Sequence, residues 1–293
     1  MILVNGKKFN DKEFHNGEVI FEKPELLVKK VIAGREDECF NEIEMFFKNN
    51  KDITALMFAK QYLDEVAPGV PCVLVMKYCP YERMDREINN QMFSMKYFAE
   101  IIAKFGFSNV KILDPHSKVC VEQLESAGVK VEVLNLTKYI NDVIEDFKPD
   151  YLCYPDKGAK TKYTEVLADI NIPCFYGSKV RDLANQGKIT DYELVDAPDL
   201  KDKKVLIIDD ICCLGGTAYN AALLMKKADA KEVAFYISHC EEGIFAGKIF
   251  EKSNIIFNGK EALFTGDGYI IDRVYTADTM KLDGYHHNLN IVI

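Results

Sequence analysis

The most informative segment of the chain reads Val205-Leu206-Ile207-Ile208-Asp209-Asp210-Ile211-Cys212-Cys213-Leu214-Gly215-Gly216-Thr217-Ala218. Its apolar beginning predicts a buried strand with two carboxylates at its carboxyl end, where open α/β sheets bind ligands. A short loop then ends in Gly-Gly-Thr at the start of a helix predicted over 217–228. Glycine lets the backbone approach an anion, and the first amides of a helix point toward it. The segment therefore predicts a phosphate site beside two acids.

The two acids, Asp209 and Asp210, would repel a phosphate, so they need a different partner. The hydroxyls of a ribose ring or a magnesium ion suit carboxylates. The plainer interpretation is a buried strand with two solvated acids and a glycine turn. A nucleotide hydrolase is excluded, because it requires a Gly-x-x-x-x-Gly-Lys-[Ser/Thr] loop and the sequence contains none.

Short β-rich runs alternate with helical periodicity along the rest of the chain, which predicts an α/β fold with mostly parallel sheets flanked by helices. One series begins with a strand over 70–78 and a helix that ends at Gly106; a second begins with a strand over 151–154. Because 293 residues exceed the usual size of one core, we expect two domains, 1–148 and 149–293. One large domain is the alternative.

The composition argues against several classes of protein. With 46 acidic and 37 basic residues, the net charge of −9 disfavours nucleic acid as a partner. No apolar run is long enough to cross a bilayer and the first residues do not resemble a signal peptide, so we expect a cytoplasmic protein without a membrane partner. The nine cysteines include no Cys-x-x-Cys pair, so a zinc site has little support. Four of them lie in apolar, strand-like settings and are interpreted as reduced core residues: Cys72, Cys153, Cys174 and Cys240.

The segment 205–218 resembles the phosphoribosyl pyrophosphate loop of type I phosphoribosyltransferases and ribose-phosphate pyrophosphokinases. Further matches occur in the order seen in the pyrophosphokinases. They are Phe14-His15-Asn16-Gly17-Glu18, Pro80-Tyr81-Glu82-Arg83-Met84-Asp85-Arg86, Asp114-Pro115-His116-Ser117, Pro155-Asp156-Lys157-Gly158 and Lys179-Val180-Arg181. The resemblance implies two phosphoribosyltransferase-like domains, with ATP on the side of the first and the ribose-phosphate loop in the second.

The resemblance also implies a reaction and a cofactor. The pyrophosphokinases transfer the β,γ-diphosphate of ATP to the C1 hydroxyl of ribose 5-phosphate and release AMP, with Mg²⁺ as the cofactor. By the same resemblance, Lys179 and Arg181 are catalytic, and His116 and Asp156 contact the metal. A solvated basic pair, a structural histidine and an ordinary Pro-Asp-x-Gly turn are the plainer interpretations of these residues.

The remaining residues implied by the resemblance bind the two substrates. On the ATP side they are Arg83, His116, Phe14, Asn16 and Glu18. The last three resemble a hairpin that reaches the adenine site of a neighbouring subunit, so we expect a homo-oligomer with a shared active site; a plain N-terminal hairpin would look the same. On the ribose-phosphate side they are Asp209, Asp210, Cys213, Leu214, Gly215, Gly216 and Thr217.

The loop departs from the family pattern Asp-Asp-x-x-Asp-Thr-x-Gly-Thr at Cys213 and Leu214. Leu214 lacks the hydroxyl of the family's threonine, a donor worth on the order of 1 kcal/mol to a 5-phosphate. A phosphate in a diester linkage carries less charge, so the missing hydroxyl would weaken its binding less. ADP-ribose is therefore an alternative acceptor. A phosphoribosyltransferase and a non-catalytic regulator that binds phosphoribosyl pyrophosphate are alternative classes.

Overall fold

The computed structural model describes residues 1–23, 30–32, 35–182, 188–250, 268–277 and 279–292, with the backbone alone at 30–32, 35–38, 179–182 and 188–191. The chain divides into two compact units, Met1–Asn135 and Leu136–Ile293. Each unit is an α/β structure around its own sheet, as the alternating pattern of the sequence predicts. Within the described residues, no helix has the length and apolar character needed to cross a membrane.

The first unit has a mixed sheet whose central strands are parallel. Its described elements are β1 (Ile2–Val4), β2 (Lys7–Lys8), β3 (Asp11–Glu13), β4 (Val19–Phe21), β5 (Lys30–Ile32), β6 (Arg35–Met45), α1 (Lys51–Val66), β7 (Cys72–Met76), α2 (Ser94–Phe105), β8 (Asn109–Leu113), α3 (Lys118–Ser126) and β9 (Val131–Leu134). The strands are ordered β2-β1-β6-β7-β8-β9, with β5 paired to β6, while β3 and β4 form a separate hairpin. Strands β6 to β9 run parallel.

Helix α2 shows how the sequence forms these elements. Its buried residues Met95, Phe98 and Ile102 recur at steps of three and four, so they share one face that packs on the core. The helix ends where Gly106 adopts φ 67°, a left-handed conformation that glycine reaches without a steric penalty. The predicted end of this helix is confirmed.

The second unit has a sheet that is parallel except at one edge. Its described elements are α4 (Thr137–Phe147), β10 (Tyr151–Tyr154), α5 (Lys157–Val166), β11 (Cys174–Asp182), β12 (Lys188–Val195), β13 (Lys204–Cys212), α6 (Gly216–Lys227), β14 (Glu232–Cys240), a 3-10 helix (Glu242–Ala246), β15 (Arg273–Thr276) and β16 (Leu289–Ile291). The order is β12-β11-β10-β13-β14-β15-β16, and β12 alone among these strands runs antiparallel to its neighbour.

Helix α4 belongs to the second unit. It packs against β14, and the Lys204 Nζ lies 4.4 Å from the centroid of the Phe147 ring at its end. The boundary expected between residues 148 and 149 therefore falls one helix later than the division into compact units. Pro149 marks the end of this helix rather than the beginning of the unit.

The segment 177–204 is not the long irregular loop that its many charged residues, Gly187 and Pro198 suggest. Strands β11 and β12 form an antiparallel hairpin here, and Gly187 lies outside the described residues. Tyr192 and Leu194, two positions apart on β12, both contact the core of the second unit, which is the period of a strand. The sequence pattern does not reveal this hairpin, because the alternation is short and interrupted by acids.

Gly177 lets the Tyr192 side chain and the Pro155 carbonyl lie close to its own backbone inside this sheet. It lies within β11, paired with Leu194 of β12. A Cβ added at Gly177 would lie 1.8 Å from the Tyr192 hydroxyl oxygen and 2.9 Å from the Pro155 carbonyl oxygen. The same hydroxyl donates a hydrogen bond of 2.6 Å to the Pro155 carbonyl, so the contact cannot be relieved without losing that bond.

We expect Gly177→Ala to destabilise the protein by about 1–3 kcal/mol, because it overpacks a buried contact. Thermal unfolding followed by circular dichroism would measure this, at roughly 2–4 °C per kcal/mol. Gly216→Ala is the matched control, since a Cβ there meets nothing within 4 Å. Equal melting temperatures for the two variants would contradict the close approach at Gly177.

Candidate functional site

Strand β13 places both acids of the predicted site at the centre of the second sheet. The strand continues through Asp209 and Asp210 to Cys212, four residues beyond the apolar run that predicted it, because it stays paired with β14. The residues 205–208 are fully buried, which fixes the position of the strand. Asp210 is also buried, with 6% exposure, and Asp209 is half-buried. The acids therefore belong to a rigid element.

The loop after β13 is held in shape by close backbone contacts. Gly215 adopts φ 74° at the cap position of α6, and a Cβ there would lie 2.0 Å from the Ile249 Cδ1 atom. A Cβ on Gly247 would lie 2.0 Å from the Leu214 carbonyl oxygen. Because Gly215 has no side chain that could accept hydrogen bonds, the first amides of α6 can point toward an anion. The predicted phosphate loop thus has a fixed backbone.

The side chains on the outer surface of this loop are the two that depart from the family pattern. Cys213 is exposed, and Leu214 is 55% exposed. Thr217 lies in the first turn of α6, directly after Gly216. The loop therefore presents an apolar side chain and a thiol at its surface, with glycine backbone and a hydroxyl-bearing residue at the helix start.

Asp156 lies at the same edge of the sheet as the paired acids. It follows β10, which is parallel to β13 and adjacent to it. Its Oδ1 atom accepts a hydrogen bond of 3.0 Å from the Ala159 amide and so caps α5. This is the structural role expected of an ordinary turn, and the negative charge of Asp156 also acts on Asp209.

The three acids influence one another electrostatically. Desolvation by burial raises the pKa of Asp209 well above its usual value, and the negative charges of Asp210 and Asp156 raise it further. The Asp210 amide donates a 3.0 Å hydrogen bond to Asp209 Oδ1, which opposes these effects only in part. A ligand that donates hydrogen bonds or positive charge to Asp209 would oppose this rise in pKa, because it favours the ionised carboxylate.

Lys162 is a residue of this site that sequence reasoning missed. Its Nζ atom lies 3.3 Å from Asp210 Oδ2. Its largely buried side chain belongs to α5, and the Nζ atom lies 5.2 Å from the Tyr163 ring centroid. The ion pair places a positive charge directly beside Asp210. The available signal was position: Lys162 follows Asp156 by six residues, on a helix that begins at the edge where the acids lie.

The two predicted catalytic residues lie on β11, in the same sheet as the acids. In the backbone, Lys179 pairs with Tyr192 and Arg181 with Ile189, with a register shift between them; their side chains lie outside the described residues. Because β11 and β13 both run parallel to β10 and flank it, their carboxyl ends reach one edge of the sheet. The backbone at 179 and at 209 thus belongs to the same side of the second unit.

In the first unit, the segments that contain Arg83 and His116 are neighbours. They follow β7 and β8, which are adjacent and parallel. Glu82 Oε2 accepts a 3.1 Å hydrogen bond from the His116 amide, and the Ser117 hydroxyl donates a 3.0 Å bond to Asp85. Arg83 is exposed and His116 is half-buried. The structure therefore brings the two predicted ATP-binding segments together at one edge of the first sheet.

The third predicted ATP-binding segment forms the tip of the β3–β4 hairpin. The Phe14 amide donates to the Glu18 carbonyl at 2.8 Å, and the Asn16 side chain donates to Glu18 Oε2 at 2.8 Å. The Phe14 ring is 54% exposed. The hairpin therefore presents its predicted residues at the surface of the first unit, and their contact with a neighbouring subunit remains a prediction.

The donor set in the second unit suits a hard divalent cation. Asp156, Asp209 and Asp210 offer only oxygen atoms, which Mg²⁺ prefers. Desolvation and the charges of Asp210 and Asp156 both raise the pKa of Asp209, and a cation there would offset these effects. Among the predicted metal ligands, Asp156 belongs to this group. His116, the other predicted metal ligand, belongs to the first unit.

Comparison with known proteins agrees with these features. A phosphoribosyl transferase domain matches residues 121–244. The ribose-phosphate pyrophosphokinase of Saccharolobus solfataricus is 25% identical over 79% of this chain and 76% of its own length; that of Methanobrevibacter smithii is 27% identical over 80% and 76%. The structure of phosphoribosylpyrophosphate synthetase from Mycobacterium smegmatis superimposes with a TM-score of 0.69 at 17% identity, covering 97% of this chain and 85% of that one.

The structural match confirms the predicted fold, in which parallel sheets are flanked by helices. The relatives are transferases, in agreement with the predicted enzyme class. These findings agree with the resemblance seen in the sequence: the chain is similar to ribose-phosphate pyrophosphokinases over most of its length, contains a match to a phosphoribosyl transferase domain, and has the corresponding fold.

Proposed function

We propose that the protein transfers the β,γ-diphosphate of ATP to the C1 hydroxyl of ribose 5-phosphate, or of a derivative of it, and releases AMP. The observation that carries this proposal is the joining of a rigid pair of acids on β13 to a glycine-capped helix start on α6. The curated relatives are named for pyrophosphoryl transfer to ribose phosphate. One acceptor molecule satisfies both halves of the site.

The ribose ring and its phosphate divide between these two halves. Ring hydroxyls donate to Asp209 and Asp210, which relieves the shortage of positive charge around Asp209. The 5-phosphate accepts from the backbone amides of Gly215, Gly216 and Thr217, where the helix dipole favours an anion. The sugar is thereby held at two points, and its C1 oxygen is oriented for in-line attack.

Charge on the transferring group is the main obstacle to this reaction. Lys179 and Arg181 are proposed to stabilise it, and Arg83 and His116 to hold the ATP phosphates. Mg²⁺, when bound by acids such as Asp156, supplies charge neutralisation across the phosphates. The protein's own groups position the reactants and exclude competing water, and they need form no covalent bond to substrate.

A phosphoribosyltransferase is a weaker alternative. That class has no use for the segments of Arg83 and His116, yet the first unit forms a complete α/β structure that brings them together. The relatives also match over 79–80% of the chain, which includes much of this unit. A non-catalytic regulator would have no need for the cationic residues on β11.

ADP-ribose is a second candidate acceptor, and one observation favours it. Leu214 is 55% exposed on the loop that is proposed to hold the 5-phosphate, so the loop offers apolar surface where the family has a hydroxyl donor. A dianionic phosphate is held less well without that donor. A 5-phosphate already in a diester linkage carries less charge, and the group attached to it can lie over an apolar side chain.

The proposed reaction is tested directly by following AMP release from ATP and Mg²⁺, with ribose 5-phosphate or ADP-ribose as acceptor. AMP formed in proportion to a diphosphorylated sugar supports the transfer. Failure to release AMP with either acceptor in the presence of Mg²⁺ would instead indicate a regulator that only binds. Turnover of ribose 5-phosphate equal to or better than that of ADP-ribose removes the reason for the second acceptor.

Lys179→Ala should lower kcat more than tenfold, because it removes more than about 1.4 kcal/mol of transition-state stabilisation. Steady-state kinetics of AMP release would measure the loss. Lys201→Ala is the control, since Lys201 is an exposed lysine of the same unit. An unchanged kcat in Lys179→Ala would rule out the catalytic role.

Asp209→Asn should stabilise the free protein at neutral pH by on the order of 1 kcal/mol while abolishing acceptor binding. In the unfolded chain Asp209 loses its proton near pH 3.9, whereas its raised pKa in the folded protein retains it. The folded state is therefore penalised increasingly as pH rises above that point. An asparagine carries no such penalty.

The difference in melting temperature between Asp209→Asn and the unsubstituted protein should consequently be small near pH 4 and grow toward pH 7. Asp169→Asn provides the control because Asp169 is exposed, so its difference should not depend on pH. A constant or decreasing difference for Asp209→Asn would show that its carboxyl is not protonated in the folded protein.

Leu214→Thr should raise kcat/KM for ribose 5-phosphate about fivefold, since a restored hydroxyl donor contributes on the order of 1 kcal/mol. Leu214→Val is the matched control, as valine has the shape of threonine without the hydroxyl. Similar gains in both variants would indicate that side-chain size, rather than hydrogen bonding, limits the use of this acceptor.

A further inference from the structure

A cluster of two thiols and a carboxylate lies inside the first unit, apart from the acids of β13. The ligand atoms of Cys79, Glu82 and Cys120 all lie within 4.8 Å of one another. Cys79 and Glu82 follow β7, and Cys120 lies in the first turn of α3, which follows β8. All three residues have 0% exposure. Cys79 and Cys120 are 41 positions apart in the chain, so the cluster joins two separate segments.

The composition of this cluster is unusual for a core. A carboxylate that loses contact with water costs several kcal/mol unless a cation or hydrogen bonds compensate. Apolar side chains of similar size would fill this space without such costs. A group that binds sulfur and oxygen together would account for the three residues.

The backbone around the cluster is strained on both sides. Tyr81, between two of the three residues, adopts φ 65°, and Asp114, at the end of β8, adopts φ 46°. Such conformations are unfavourable for residues other than glycine and persist where the surroundings hold them. Glu82 Oε2 accepts the 3.1 Å hydrogen bond from the His116 amide, so the carboxylate is also oriented by the second segment.

We propose that Cys79, Glu82 and Cys120 bind a zinc ion. Two thiolates and one carboxylate are ligands that Zn²⁺ takes in tetrahedral sites, with water or a fourth group completing the set. Cys79 and Glu82 are separated by two residues, a spacing found between neighbouring ligands of structural zinc sites. The third ligand comes from another element. Thiolates also select zinc over magnesium, because soft ligands bind hard cations poorly.

Binding balances charge and protons within the site. Both thiols lose their protons to solvent as the two Zn–S bonds form, and the carboxylate contributes a third negative charge. The two positive charges of the ion offset most of this total. The start of α3 favours the Cys120 thiolate through the helix dipole, and the His116 amide orients the carboxylate as a partner beyond the metal's own ligands.

The ion would connect the two segments that contain Arg83 and His116. Cys79 and Glu82 precede Arg83 on the first segment, and Cys120 follows His116 by four residues on the second. A zinc clip would thus fix their separation at the edge of the first sheet. This inference concerns metal binding in the first unit and stands whether or not the protein performs the proposed transfer.

The test is the zinc content of the full chain, produced with added Zn²⁺ and purified with a thiol reductant and gel filtration. We expect about one zinc per chain by elemental analysis. Glu82→Gln and Cys120→Ser should each lower the content at least fivefold. Cys72→Ser is the matched control: Cys72 is a buried thiol of β7 in the same core, and its loss should leave the content unchanged.

A chelator should lower the melting temperature of the unsubstituted protein and of Cys72→Ser, but not that of Glu82→Gln, because a metal stabilises only the state that binds it. If Cys120→Ser does not fold, Glu82→Gln decides the result. Absence of retained zinc, an equal loss in the Cys72 control, or a Cys79–Cys120 disulfide in zinc-free protein would each overturn the proposal. Since none of these measurements uses ATP, failure here is distinguishable from failure of the proposed reaction.

Discussion

Electrostatic repulsion between neighbouring carboxylates is the constraint on which the second unit depends. Asp209, Asp210 and Asp156 reach one edge of the sheet because β10 and β13 are parallel neighbours, and Asp209 is desolvated there. Lys162 neutralises Asp210 at 3.3 Å, which leaves Asp209 as the acid that benefits most from a ligand. A site that is costly when empty and relieved when filled converts that cost into affinity for hydroxyl donors and cations.

The same edge contains an electropositive element only a few residues away. The start of α6 attracts an anion, and Gly215 lets the backbone turn into the helix without a capping side chain. Acids and helix start are separated by one short loop, so a bifunctional ligand can satisfy both at once. The close contacts of Gly215 and Gly247 fix that separation. In the proposed function, a sugar phosphate would satisfy both parts of this site, whereas a free phosphate or a free sugar would satisfy only one.

The sequence predicted those features that depend on residues close together in the chain. The end of α2 at Gly106 and the acids after an apolar run follow from periodicity and composition. The β11–β12 hairpin did not, because its inward positions such as Tyr192 alternate over too few residues among acids. Lys162 and the Cys79, Glu82 and Cys120 cluster depend on which strands are neighbours in the sheet. A search for Cys-x-x-Cys could not find a clip whose second ligand is a glutamate and whose third follows another strand.

If both proposals hold, the two clusters would bind different cations, because their ligand atoms differ in chemistry. The acids of the second unit offer oxygen alone, and Mg²⁺ is the common cellular ion for such ligands. The cluster of the first unit offers two sulfur atoms, which bind zinc far more strongly than magnesium. Zinc also binds carboxylates more strongly than magnesium does. A thiolate site in the first unit would therefore hold zinc there, where its role is structural. Ligand softness thus keeps each ion at the place where its chemistry is useful.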